Sequence, residues 1–204
     1  MRRSSSRGDI DRRTRHLDFF GSSAVAAAVD RLVPAAERAL LADGLAVERI
    51  VDHPGFTRLV VSGGSDQTEV DFGSDARLFG VEERLGIRLL SGEELAVDKL
   101  LALFGRAEAR DFVDLWAVAD RYGLDRLLSL AAEKDRGFDA KMFAQMLTRI
   151  DRLPRVAFPL DDSQDDKLRA AVDVWKELAL GYVRDKERAR GMRHDRGPEL
   201  GLDR

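Results

Sequence analysis

Three short stretches limit what this chain can fold into more than any other feature: AVERIVD (46–52), FTRLVVS (56–62) and QTEVDFG (67–73). Each alternates apolar with polar residues, the period of a strand that buries one face. HPG (53–55) and GGSD (63–66) separate them and supply the residues that tight turns need. The pattern predicts a three-stranded antiparallel meander. Before it, from Val29 to Asp43, apolar residues recur at helical spacing, with Pro34 early and Gly44 as a stop. One helix over a small sheet is therefore expected.

After Gly80 the period changes for good. A short strand, IRLL, ends at Ser91, and Ser91-Gly-Glu-Glu94 reads as a capping box opening a helix through about Phe104. Further helices are expected at Glu108–Tyr122, Leu124–Glu133, Asp139–Ile150 and Asp165–Glu187, with breaks at Gly123, Gly137 and Pro154. The fold class is α+β: a small mixed or antiparallel sheet with a flanking helix, then a helical bundle. The expected divisions are a basic arm over 1–15, a sheet domain over 16–90, a helical domain over 91–187 and a disordered tail over 188–204, where the sequence loses its periodicity. No internal repeat is present.

Composition narrows the chemistry. Of 204 residues 44% are hydrophobic and 35% charged, which suits a globular chain with a charged, helix-rich surface. There is no cysteine, so disulfides, thiolate nucleophiles and Cys-type zinc sites are all excluded. No apolar run approaches the roughly 18 residues of a spanning helix. The start, MRRSSSRG, lacks the apolar core of a secretion signal, and a cytoplasmic location without membrane contact is expected. The net charge of −3 exerts no global pull on nucleic acid. Residues 1–15 nevertheless hold six arginines against two aspartates, either a phosphate-facing arm or a solvated terminus.

The run RRTRHLDFFG (12–21) places Asp18 between Leu17 and two phenylalanines. Burying an unpaired carboxylate costs several kcal/mol, so Asp18 is either satisfied by a partner or holds something. Strand geometry puts His16 and Asp18 on one face, and likewise Glu69 and Asp71, with Val70 and Phe72 opposite. Converging carboxylates are how phosphoryl-transfer proteins hold Mg²⁺; alternatively, Glu69 and Asp71 simply face solvent. In the helical half, Glu94 and Asp98 stand four apart beside Lys99, and Arg110, Asp111 and Asp114 share the next helix. Arg110 and Asp114 could be an exposed i,i+4 pair worth about 0.3 kcal/mol. Phe112, Val113, Leu115 and Trp116 instead embed these charges among apolar positions, and a lysine so presented can bind phosphate.

On these residues the chain resembles the AbiEii/AbiGii-type nucleotidyltransferase toxins, a branch of the polymerase-beta-like nucleotidyltransferases. LSGEELAVDKLLALFGRAEARDFVDLW (90–116) is similar to the family's helical motifs, through Lys99 and the Arg-Asp-x-x-Asp of Arg110–Asp114. RTRHLDFFG is similar to its strand motif Arg-x-Ser/Thr-x-Asp-Leu/Ile-Asp-Phe/Leu-Phe, and TEVDFG to the strand bearing its third acidic residue. The resemblance runs from about Arg12 to Leu160. It implies transfer of a nucleotide from a nucleoside triphosphate to an acceptor such as tRNA, and neutralisation by a cognate antitoxin. It further implies that Asp18 and Asp71 ligate Mg²⁺, with Mn²⁺ as the alternative, that Lys99 and Arg110 contact the nucleotide, and that Asp111 and Asp114 complete the helical motif.

Two departures stand out. The first acidic position of the strand motif is His16, and imidazole suits Mn²⁺ or Zn²⁺ better than Mg²⁺; His16 is either a substitute ligand or a plain surface residue. The family's Gly-Gly-Ser/Thr loop, expected upstream of the strand motif, has only Ser4-Ser5-Ser6-Arg7-Gly8 in its place. Gly63-Gly64-Ser65 lies on the wrong side of that motif and reads as a hairpin turn. A chain truncated or degenerate at its N-terminus is the expectation, with partner binding without catalysis as the alternative function.

Overall fold

The computed structural model describes residues 16–22, 26–84 and 86–194. Strand β1 (His16–Ser22) is followed by helix α1 (Ala26–Ala42) and then by β2 (Ala46–His53), β3 (Phe56–Gly63) and β4 (Asp66–Asp75). The meander is present: β2 with β3 and β3 with β4 are antiparallel, while β1 joins the far side of β4 in parallel, giving the order β1-β4-β3-β2. Gly63, Gly64 and Ser65 lie at the β3–β4 turn, where Gly63 pairs with Asp66 and Gly64 has φ +60°. A residue with a Cβ resists that conformation.

α1 buries Val29 and Val33 and packs Ala36 and Leu40 against Leu59, Val61, Val70 and Phe72. The spacing of these four helix residues follows the helical period, so one stripe meets one sheet face. α1 ends where the sequence indicates. The Gly44 N–H donates to the Leu41 carbonyl (3.0 Å) and the Leu45 N–H to that of Leu40 (3.1 Å), a Schellman cap closed by Gly44 at φ +79°.

The chain divides into two compact units between Arg77 and Leu78. The second begins with a hairpin of β5 (Val81–Arg84) and β6 (Ile87–Leu90), of which β5 had no signal in the alternation. Then come α2 (Gly92–Gly105), α3 (Ala109–Tyr122), α4 (Leu124–Lys134), α5 (Ala140–Leu147) and α6 (Asp162–His194). Their core includes Leu100, Leu103, Phe112, Leu115, Leu127, Phe143, Leu147 and Leu168. α5 is shorter than expected because the chain tightens into a 3₁₀ turn over Thr148–Arg152. α6 corrects the expected disordered tail, since it continues past Glu187 to His194. Lys, Glu, Arg and Ala propagate a helix without an apolar stripe, so fading periodicity did not mark its end. The arm over 1–15 and the tail beyond His194 lie outside the described residues.

Among the described residues no helix is long and apolar enough to cross a membrane.

Candidate active site

In the first unit, the parallel register of β1 and β4 sets His16 beside Glu69 and Asp18 beside Asp71. All four project from the sheet face opposite α1, as strand alternation requires. His16 Nε2 lies 2.8 Å from Asp71 Oδ2 and 3.4 Å from Asp18 Oδ1, and its Nδ1 is 3.0 Å from Glu69 Oε2. Both ring nitrogens thus face carboxylates, although a neutral imidazole can donate from only one of them. His16 is engaged with the acidic cluster, which removes the reading of it as a plain surface residue.

Asp71 is 4% exposed, which answers the alternative that it faces solvent. Arg58, directly opposite it on β3, forks the carboxylate: Nε donates to Oδ1 and Nη2 to Oδ2, each across 2.7 Å. Burial alone would push the Asp71 carboxyl up, but the Arg58 fork and the His16 contact outweigh it and hold the group below the usual carboxylate range. Asp18 and Glu69 are more exposed, with side chains 54% and 44% accessible.

The donor set tests what the cluster can hold. One ligand atom from each of His16, Asp18 and Asp71 lies within 4.8 Å of the others, close enough to share one ion. An imidazole with two carboxylates fits a divalent cation, and its nitrogen favours Mn²⁺ or Zn²⁺ over Mg²⁺.

The second unit holds the other motif residues. Lys99 on α2 donates to Asp114 Oδ2 on α3 (2.9 Å), and Asp114 is buried. Asp111, also buried, is forked by Arg106, whose Nη2 reaches Oδ1 at 2.7 Å and whose Nε reaches Oδ2 at 2.9 Å. Asp111 Oδ2 also accepts the Glu108 N–H (3.0 Å), so this carboxylate fastens the start of α3. Ala107, at φ +48°, turns the chain in the left-handed region between Arg106 and Glu108. Arg110 lies outside, 3.1 Å from Glu108 and half exposed. The structure thus joins Lys99 to Asp114, gives Asp111 an anchoring contact, and leaves Arg110 at the surface.

Glu94 and Asp98 both turn to Lys134. Glu94 Oε1 accepts from the Lys134 ammonium (2.6 Å), Oε2 accepts the N–H groups of Leu78 (3.0 Å) and Phe79 (2.9 Å), and Asp98 completes the group with a short contact to the same ammonium. Arg58, Arg106 and Lys134 are the residues that sequence reasoning missed. Arg58 had a signal, since its place opposite Asp71 follows from counting back from the Gly64-Ser65 turn along both strands.

The family model "Nucleotidyl transferase AbiEii toxin, Type IV TA system" matches residues 4–190. The chain belongs to the AbiEii nucleotidyl transferase toxin family. That membership implies a nucleoside triphosphate substrate and an antitoxin partner. No curated protein and no solved structure gives a significant match to it.

Proposed function

We propose that this AbiEii-family chain is the toxin of a toxin–antitoxin pair and transfers a nucleotide from a nucleoside triphosphate to an RNA acceptor, tRNA, in the cytoplasm. The observation that carries the reading is the convergence of His16, Asp18 and Asp71 on one sheet face of a chain in this family.

In the reaction the acceptor hydroxyl oxygen forms a bond to the α-phosphorus, the bond from that phosphorus to the β-phosphate oxygen breaks, and pyrophosphate leaves. Asp18 and Asp71, with His16, would hold the divalent cation, Mg²⁺ or, given the imidazole, Mn²⁺. Such an ion supplies charge neutralisation of the triphosphate oxygens. Asp18, exposed and outside the Arg58 fork, receives the hydroxyl proton. Lys99 contacts triphosphate oxygens, Asp114 positions its ammonium, and Arg110 supplies a second, outer cation for the nucleotide. Asp111 acts through α3, whose first turn it fastens.

Induced in a sensitive host without its antitoxin, the chain arrests growth, and Asp18→Asn or Lys99→Ala relieves the arrest. Arrest that persists in both variants would remove the catalytic reading. A second reading, a catalytically silent relative that retains antitoxin binding, has one observation in its favour: each oxygen of Asp71 already accepts a hydrogen bond from Arg58. It predicts a stable antitoxin complex with no triphosphate binding.

A further inference from the structure

We infer that Arg58 is a built-in counter-ion that stands where a cation would, so that the sheet is complete without metal and a divalent ion binds Asp71 only by displacing the guanidinium. The inference rests on the metal reading above and concerns a residue that none of the motifs contains.

Each carboxylate oxygen has two lone-pair directions. On Asp71, Oδ2 already accepts Arg58 Nη2 at 2.7 Å and faces His16 Nε2 at 2.8 Å, while Oδ1 accepts Arg58 Nε at 2.7 Å. Oδ2 is filled, and Oδ1 keeps one direction beside a guanidinium. Arg58 Nη1 also approaches Glu69 Oε2 at 3.7 Å, so the same cation spans Glu69 and Asp71 of β4. A buried carboxylate needs a positive partner or several donors, and Arg58 provides both from the next strand. An arriving divalent ion meets a resident charge in contact with its own ligand atom, and repulsion between the two weakens binding. The guanidinium can leave. It is one-third exposed, and its Cζ lies 6.0 Å from the centroid of the Phe56 ring. Arg58 is therefore the residue that sets how strongly the cluster binds a divalent ion.

The test is an Mn²⁺ titration of the full chain followed by electron paramagnetic resonance, with melting temperatures recorded in chelator and in Mn²⁺. The wild type is expected to gain little melting temperature from Mn²⁺, because its binding is weak. Arg58→Met is expected to bind one Mn²⁺ at least about tenfold more tightly, to melt lower in chelator, and to regain stability with Mn²⁺. Arg58→Lys, which keeps the charge without the fork, should fall between them, and adding Asp18→Asn to Arg58→Met should remove the gain. Should Arg58→Met fail to fold in chelator, Mn²⁺ is expected to restore it, and a chain left unfolded in Mn²⁺ counts against cation substitution. Equal Mn²⁺ affinity in wild type and Arg58→Met overturns the role of Arg58 and leaves the metal reading standing. A gain of binding with no nucleotide transfer by any variant sustains Arg58 and removes the catalytic reading.

Discussion

The carboxylate of Glu94 accepts two backbone N–H groups and the ammonium of Lys134, with both side chains almost wholly removed from solvent. Burial alone would raise the Glu94 carboxyl, but Lys134 and the N–H groups of Phe79 and Leu78 together bring it below the usual range. A carboxyl depressed in the folded state adds stability above its unfolded pKa of about 4.3, and this is lost as pH falls through the folded value. Glu94→Gln should therefore melt below wild type at neutral pH, and the gap should narrow as pH drops under about 4; a constant gap would rule out the charge as its source. Lys134→Met leaves Glu94 charged, buried and without its ammonium. It should cost about 3–5 kcal/mol by chemical denaturation, as breaking a buried pair does. At this scale the sequence showed which residue types share a strand face, because alternation is local. It did not show Arg58, Arg106 or Lys134 as partners, because those pairings depend on how separate elements meet.

α2 opens with Ser91, whose Oγ accepts the Glu94 N–H at 3.0 Å, the N-cap half of the capping box expected from Ser91-Gly-Glu-Glu94, while the Glu94 carboxylate turns to Lys134 and the N–H groups of Leu78 and Phe79. Ser91→Ala should destabilise the helical unit by about 1 kcal/mol, measured as a lower denaturation midpoint. A Ser91→Asp variant should recover most of it. Turns were the most legible parts of the chain: Gly44 and Gly64 both adopt the positive φ that their positions suggest, and the Gly63–Asp66 pairing fixes the register that puts Arg58 against Asp71. Strand β5 and the far end of α6 were not legible. β5 is short and gains its form from pairing with β6, and α6 persists through a charged stretch that carries no amphipathic signal. β1 was recognisable as a strand, but its parallel seat on β4 was not, since no short turn links the two.

On the scale of the whole molecule, the chain is a sheet unit and a helical unit with separate hydrophobic cores. The first unit holds His16, Asp18, Asp71 and Arg58, and the second holds Lys99, Asp111 and Asp114. The family was legible because its motifs are short and fall at strand and helix positions where local pattern is strongest. Ser4–Gly8, which stands where the upstream glycine loop is expected, lies outside the described residues. Nucleotide transfer from a triphosphate to RNA can be measured on the purified chain. Purified wild type, His16→Asp and Asp18→Asn are incubated with each labelled nucleoside triphosphate, Mg²⁺ or Mn²⁺, and total tRNA, and label on the RNA is quantified. Wild type is expected to transfer label more strongly with Mn²⁺, His16→Asp to shift towards Mg²⁺, and Asp18→Asn to lose at least about a hundredfold. Transfer undiminished in Asp18→Asn, or none by wild type with any triphosphate and either ion, would contradict the catalytic reading.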